Sequence, residues 1–563
     1  MSYMCVDVET NGLNSFLGAR PFVITTCDEN EWTRYLRVGQ DNLIPLDMEL
    51  MIPSNEIIGH NLKFEILMLA TYGMKIGGPM HDTLIAAHIF NPTEPSKKLK
   101  DLALKYLGIE PKEEMILKTY MKQHKITDYS LVPEDIMRPY TINDVLITWR
   151  LFNFYRSKGV LEDPVYKMEM RLLPVLARMQ TRGMLIDKPF CIEQQQRCAK
   201  RLQEIETHTA IEYPDVDLLS NRSLGEFLFQ KEGLTCKSFS EKGNPELDEY
   251  HLDQYQHDII PYVLEYRELT KAKSTYLDAL IEQSDADNVI HCDLWQTGAV
   301  TGRMSCRSPN LQNVPKNLSV DLRKAFICRP NYSLVYYDYS QIELRLMAHY
   351  AKEEKMLEEL RKPNGDLHAL TAKALFDDVD PQKRDIAKRL NFGIIYGIGA
   401  AKFAMTLNRE YPDKNYTYAD ARAFITRYYN TYQKVRTFTW KVQQTILDRG
   451  HVFDVFGRKY YADKDTAYKA VNYIVQGCAA GVIKQAMIKV DKALQGCQSR
   501  LLHSVHDELI IEVHNTEENL ISAVKELMED HTTFAVPVTV NIAKSATTWA
   551  EKQSLPVVAD SIL

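Results

Sequence analysis

The sequence predicts a multidomain α/β protein, and three observations carry that reading. The chain has 563 residues, too many for one core at about 150 residues per domain. Strand-like runs alternate with helical ones over residues 1–160, the apolar period switching between 2 and 3.6. A mainly helical stretch at 165–285 then gives way to a second mixture of strands and helices from residue 290.

Composition works by exclusion. Hydrophobic residues make up 45% and charged residues 25%, ordinary for a globular protein. No apolar run reaches the roughly 18 residues of a membrane span. The start, "MSYMCVDVET", lacks the basic-then-apolar order of a secretory signal. A cytoplasmic protein with no membrane partner is expected. Ten cysteines are scattered without a CxxC pair, which argues for reduced thiols and against structural zinc or a disulfide framework. The net charge is −7, so nucleic-acid binding would need local basic surfaces beside acidic sites.

The first element is the strand "YMCVDVE", closed by a turn at Asn11-Gly12. Alternation puts Asp7 and Glu9 on one face, where two carboxylates repel unless a cation lies between them. "EIIGH" is a further strand, and "KFEILMLATYG" a helix with Glu65 on it. "RPYTINDVLITW" places Tyr140 and Asp144 at i and i+4 of another helix. Each acid taken singly also fits a surface acid or a cap. "YKMEMRLLPVLARMQTRG" is a helix ended by glycine, and "IIPYVLEYRELTKAKSTYLDALIEQ" is another. Polar "SFSEKGNPELDEYHLDQYQ" connects helices.

"TGAVTGRMSCRSPNLQNVP" is loop by composition. In "LVYYDYSQIELRLMAHY" a strand ends at Asp338 and a helix carries Glu343; Asp338 suits a metal ligand or a helix N-cap. Residues 366–408 are mainly helical. In "KRDIAKRLNFGIIYG", Arg384, Lys388, Phe392 and Tyr396 recur every four residues, a slowly drifting stripe on a helix. Its cationic half and aromatic half suit a polyphosphate joined to a sugar and base; the basic solvent face of an amphipathic helix accounts for it too. In "LLHSVHDELIIEV" two apolar runs flank His506, Asp507 and Glu508, a hairpin tip or half of a metal site.

In this order the stretches resemble a known family. "DYSQIELR", "R-x₃-K-x₃-F-x₂-I-Y-G" and "VHDE" are similar to motifs A, B and C of bacterial DNA polymerase I-like (family A, Klenow-type) enzymes. The acids at 7, 9, 65 and 144 with Tyr140 resemble the three motifs of DnaQ-like 3′–5′ exonucleases. The likeness spans residues 3–550. It implies an RNase H-like 3′–5′ exonuclease domain at 1–160 and a right-hand polymerase domain at 161–563. Within the latter, 165–290 would be mainly thumb, 291–350 and 446–563 mainly palm, and 351–445 mainly fingers. The implied activity is dNTP addition to a primer–template with proofreading, using two Mg²⁺ per active site, Mn²⁺ being the expected substitute. A monomer is expected, and no long thumb insertion marks a processivity-factor dock. The compact form, with no 5′-nuclease domain before Met1, is common among phage-encoded enzymes, for which the compartment is the host cytoplasm.

The resemblance also assigns roles. Asp338 and Asp507 would hold the polymerase metals, with Glu508 the lesser carboxylate. Asp7, Glu9, Glu65 and Asp144 would hold the exonuclease metals while Tyr140 orients the attacking water. Arg384 and Lys388 would grip the triphosphate and Phe392 lie against its sugar, a Phe there implying poor use of dideoxynucleotides. Tyr396 would close the nascent pair, with His368 and Gln341 as further nucleotide contacts. Glu343 would exclude a ribose 2′-OH by steric exclusion combined with lost solvation of the hydroxyl, to which an ionised carboxylate donates no compensating bond; this weighs against a single-subunit RNA polymerase. Arg303, Asn310, Gln312, Asn313, Gln476 and His506 would meet the primer–template, and Lys271 and Lys273 the duplex backbone from the thumb. Four positions depart from the family. Glu65 stands where Asp is usual, one methylene longer at a metal that demands tight geometry, so weakened exonuclease activity is expected. Tyr468 stands where Arg is usual, and Cys478 and Gly481 where Thr and Asp are common. A DNA-binding protein with silent sites is the alternative from another class; the presence of Asp338, Asp507, Arg384 and Lys388 together disfavours it.

Overall fold

The computed structural model describes residues 2–555 apart from 241, 317 and 364; the part of the palm assignment at 556–563 lies outside the described residues. The N-terminal unit is built on five strands: β1 (Ser2–Thr10), β2 (Pro21–Asp28), β3 (Thr33–Arg37), β4 (Asn55–Gly59) and β5 (Met80–Asp82). Their order is β3-β2-β1-β4-β5, antiparallel on the β3 side of β1 and parallel on the β5 side. The helices α1 (Leu62–Ala70), α2 (Leu99–Leu107) and α3 (Glu134–Ser157) carry the remaining residues of the first acidic site. α3 packs on β1 and β2, and α2 packs on α3. Cys5, Ile24, Ile57, Ile58, Val145 and Leu151 form the core beneath them.

The helix α4 (Pro164–Arg182) joins the two halves of the molecule. Its Tyr166 and Leu173 enter the N-terminal core, while Leu172, Val175, Leu176 and Met179 enter the larger C-terminal one. The next helices are α5 (Lys188–Glu212) and α6, a continuous helix over 259–283 that lies along α5. Residues Lys271–Leu277 within α6 form a π-helical segment, a local widening that re-aims side chains.

The C-terminal unit opens with the hairpin strands β6 (Asp293–Trp295) and β7 (Ser305–Arg307), so the segment expected to be all loop contains a short strand. Its main sheet is centred on β8 (Tyr332–Tyr339), which leads into α7 (Ile342–Ala351). Helices α8 (Leu367–Phe376), α9 (Pro381–Ile395) and α10 (Ala470–Ala493) follow, then the strands β9 (Arg500–Val505), β10 (Glu508–His514), β11 (Val540–Ser545) and β12 (Gln553–Ser554). The sheet runs β9-β10-β8-β11-β12, antiparallel throughout. From Ser333 onward β8 is buried at every residue except Asp338, which accounts for its unbroken apolar run.

Ion pairs cross between the units. Lys63 bonds Asp293, and Arg178 meets Asp491 at 2.5 Å. Beneath the palm, Glu169 of α4 is buried between Arg458 and Lys484, the latter at 2.6 Å. Among the described residues no helix is long and apolar enough to cross a membrane.

Candidate active sites

The C-terminal acidic site is assembled by strand pairing. Asp338 ends the buried central strand, directly opposite Glu508 on one side and Asn541 on the other. The hairpin between β9 and β10 turns through His506 and Asp507 alone. The Tyr339 N–H donates to the Asp507 carbonyl at 3.1 Å, pinning the turn beside Asp338. His506 has φ +55°, uncommon for a residue with a side chain and of the kind found at functional turns. α7 is capped by Gln341 and not by Asp338, so the N-cap reading of Asp338 falls.

Asp338 is open to solvent on one side, yet the protein packed around its carboxyl desolvates it, and with Asp507 and Glu508 adding to that, the group is pushed up to about 7. Burial raises Asp507 as well. Glu508 is engaged elsewhere, bound by Lys552 at 2.7 and 2.8 Å. Among the described residues no Lys or Arg pairs directly with Asp338 or Asp507. Two neighbouring carboxylates that resist ionising together, both hard oxygen donors, fit a divalent cation such as Mg²⁺.

α9 faces this site. Arg384 and Lys388 are exposed and Phe392 half-buried, while Ile386, Ala387, Leu390 and Ile394 are buried on the opposite face. Tyr396 sits just past the helix as its C-cap, so the stripe ends one residue beyond regular helix. Its hydroxyl donates to Glu343 at 3.1 Å. Arg303 donates to the same carboxylate at 2.5 Å, so Arg303, expected on the duplex, is held by Glu343. Arg384 is paired with Asp366 at 2.6 Å. His368 is expected as a further triphosphate contact of the fingers. It is buried, bonded to Asn391 at 3.0 Å, and burial lowers it to about 4.

Arg303, Gln312, His506 and Asp507 line one small cavity of about 30 Å³. Gln312 also donates to the Ser504 carbonyl at 3.1 Å. Asn310 accepts from the Gln312 N–H, and the Asn313 carbonyl accepts from Tyr276. Gln476 is 9% exposed on α10. Lys271 is exposed, and Lys273 is paired with Asp278 at 3.0 Å. The departures have local causes. A side chain at 481 would meet the Phe456 ring 2.4 Å away, so Gly481 leaves room for that ring. Cys478 is buried, and Tyr468 lies against Gly397, next to Tyr396.

The N-terminal acidic site is more closed. Oxygens of Asp7, Glu9 and Asp144 lie within 4.8 Å of one another. Glu65 is 3% exposed and stands outside that trio. Its Oε2 and the Asp7 Oδ2 are buried without a hydrogen-bond partner. Burial pushes Asp7 up to about 6, and raises Glu9 and Glu65 further still. Orphaned carboxylate oxygens around one point again fit a hard cation. Lys100 of α2, unnoticed in the sequence, forms an ion pair with Asp144 and lies 4.9 Å from the Tyr140 ring centroid. The one signal for it was a lysine on the apolar side of "LKDLALKYL", three residues before Ala103. Lys552 was likewise missed, since its partner Glu508 lies 44 residues away.

A family model described as DNA polymerase family A matches residues 188–551, and one described as 3′-5′ exonuclease matches residues 1–159. DNA polymerase I of Synechocystis sp. is 33% identical over 537 residues, covering 87% of this chain and 53% of that protein. DNA polymerase I of Pseudomonas aeruginosa is 32% identical over 530 residues, covering 89% and 57%. That of Borreliella burgdorferi is 30% identical over 582 residues, covering 98% and 62%. The chain thus spans little more than half the length of these relatives. All three are bacterial, so the expected phage affinity finds no counterpart among them. The POL domain of Pol1 from M. smegmatis, in complex with DNA primer-template and dNTP, has a similar fold, with TM-score 0.83 and 25% identity. That likeness covers 97% of this chain and 96% of the other.

Proposed function

The chain belongs to DNA polymerase family A, and from that premise we propose that it is a template-directed DNA polymerase with a 3′–5′ proofreading exonuclease. The observation that carries the reading is Asp338, the one exposed residue of an otherwise buried strand end, held beside Asp507 at a hairpin tip. Two Mg²⁺ ions bound there would lower the pKa of the primer 3′-OH and neutralise charge on the leaving pyrophosphate. The chain's own residues supply the rest. Arg384 and Lys388 project cationic groups for the triphosphate. Phe392 and Tyr396 offer aromatic surface for sugar and base. Glu343 is fixed in place by bonds from Tyr396 and Arg303, so its carboxylate would stand as a steric block to a 2′-OH.

In the exonuclease, Asp7, Glu9 and Asp144 would share the cation-holding role, with Glu65 a more distant participant. The Tyr140 hydroxyl, raised by burial and by those carboxylates, stays protonated and can orient a water. Primer–template DNA and dNTPs are the proposed partners.

Primer extension tests this. With Mg²⁺ and a primed template the protein should incorporate dNTPs and reject rNTPs. Incorporation should collapse in Asp338→Asn. Equal use of rNTPs, or undiminished synthesis by Asp338→Asn, overturns the assignment.

A further inference from the structure

A cluster outside both acidic sites takes up none of the proposed chemistry. Cys292 precedes β6, Cys306 lies in β7, and His503 lies in β9, four residues before Asp507. They are 8%, 5% and 0% exposed. One donor atom from each lies within 4.8 Å of the other two. The Cys292 Sγ and His503 Nδ1 are 3.4 Å apart. Ligands held 2.0–2.3 Å from one tetrahedral zinc ion stand about 3.5 Å from each other, so this edge already has coordination length. The spacing of the cysteines in sequence argued against structural zinc; folding brings together ligands 14 and 197 residues apart.

Two further observations distinguish the cluster from ordinary buried thiols. The Leu311 N–H donates to the Cys306 Sγ at 3.4 Å. The bond from Cys292, and after it the backbone N–H groups of Leu311 and Gln312, hold the Cys306 thiol below its usual range despite its burial, while the same bond and burial push Cys292 up. The His503 Nε2 is buried with no hydrogen-bond partner, and burial lowers that imidazole to about 3. It is therefore neutral, the state in which imidazole ligates. In the metal-free fold the protonated Cys306 thiol donates to the Pro309 carbonyl at 3.4 Å.

We propose that Cys292, Cys306 and His503 form a structural site for a thiophilic divalent cation, zinc by its chemistry, which clamps the β6–β7 segment to the hairpin bearing Asp507. Binding releases the two thiol protons to solvent. One M²⁺ with two thiolates and a neutral imidazole carries no net charge, so the bound site suits its buried surroundings where an uncompensated ion would not. Sulfur and imidazole donors also keep the site distinct from the all-oxygen sites, which suit Mg²⁺. Its ligands come from the segments that position Gln312 and Asp507. The bound ion would therefore stiffen the primer-side wall without touching the chemistry.

Cobalt(II) serves as the spectroscopic probe. The reduced, metal-stripped full chain is titrated with Co²⁺ in excess Mg²⁺, which saturates the carboxylate sites. One equivalent should produce thiolate-to-metal absorption and tetrahedral ligand-field bands, both displaced by one equivalent of Zn²⁺. Cys306→Ser and Cys292→Ser should lose the bands; Cys236→Ser, a thiol elsewhere in the chain, should keep them. Melting curves guard against misfolded variants. One equivalent of Zn²⁺ should raise the wild-type Tm by several degrees, and should not move that of either serine variant that still unfolds cooperatively. Absence of thiolate–cobalt absorption in the wild type overturns the proposal, as does its persistence in Cys306→Ser.

Discussion

The two acidic centres solve the same electrostatic problem in opposite ways. In the N-terminal unit three carboxylates are drawn within 4.8 Å of one another, and Lys100 is inserted among them as a counter-ion. In the C-terminal unit the nearby cation, Lys552, is turned onto Glu508, and Asp338 and Asp507 are left to repel each other. The first centre has its geometry set by the protein's own charge before any metal arrives. The second is open, built from a strand end and a hairpin tip, and depends on a bound cation for neutrality. Under the proposed function, a proofreading site that must stay inactive during synthesis and a synthetic site that must admit a large charged substrate would have reason to differ in this way.

The largest expected effect separates the centres outright. Asp338→Asn should lower nucleotide incorporation by on the order of 10³-fold, equivalent to about 4 kcal/mol of transition-state stabilisation, and leave digestion of a single-stranded primer intact. Asp7→Ala should do the reverse. Parallel assays of both variants on one labelled primer check this, and a joint loss in either variant would mean that the centres are not independent.

Removing each counter-ion sharpens the contrast. Lys100→Met leaves Asp144 buried and uncompensated, a change that costs about 3 kcal/mol for a buried pair. Lys552→Met breaks a pair that is partly open to solvent, worth about 1 kcal/mol or less. Thermal melts in EDTA should show the larger drop for Lys100→Met, and Mg²⁺ should restore much of it by taking the lysine's place. Equal drops would remove the distinction drawn above.

The pH dependence of metal demand follows from Asp338. Its carboxyl, pushed up to about 7, is protonated below that pH, and a proton there competes with the metal. The Mg²⁺ needed for half-maximal incorporation should rise about tenfold per pH unit below that value. Glu508→Gln removes one of the like charges that raise Asp338 and frees Lys552 beside it, so the rise should begin at lower pH. Mg²⁺ titrations of primer extension at pH 6 and pH 8 would show it; an unchanged onset in Glu508→Gln would deny Glu508 any part in tuning the site.

What was legible in the sequence was whatever period or order could express. The strand ending at Asp338, the hairpin at His506–Asp507 and the stripe from Arg384 to Tyr396 each follow from local spacing, and the fold keeps them. Lys100, Lys552 and the Cys292–Cys306–His503 cluster are contacts between residues far apart in the chain, which periodicity does not encode. Local pattern also carries no information about burial or pairing. His368 stands in a helix whose apolar surroundings bury it against Asn391, and Lys273 is captured by Asp278 five residues on. Whether a polar side chain is free depends on its neighbours in space, and these two found partners within the protein.

The smallest effect concerns the residue that departs from its family. Glu65 is buried, one of its oxygens has no partner, and burial pushes its carboxyl well above the usual range. In the metal-free fold its neutral form is therefore favoured, and Gln is a near match to that form in volume and charge. Glu65→Gln should change the melting stability in EDTA by no more than about 0.5 kcal/mol, as for a substitution that alters neither packing nor net charge. The same variant should lower exonuclease activity less than Asp7→Ala does, because Glu65 lies outside the compact trio. Activity equal to the parent's would reduce Glu65 to packing. A loss as deep as that of Asp7→Ala would instead show that the longer side chain reaches the cation, and that the extra methylene is accommodated within the site.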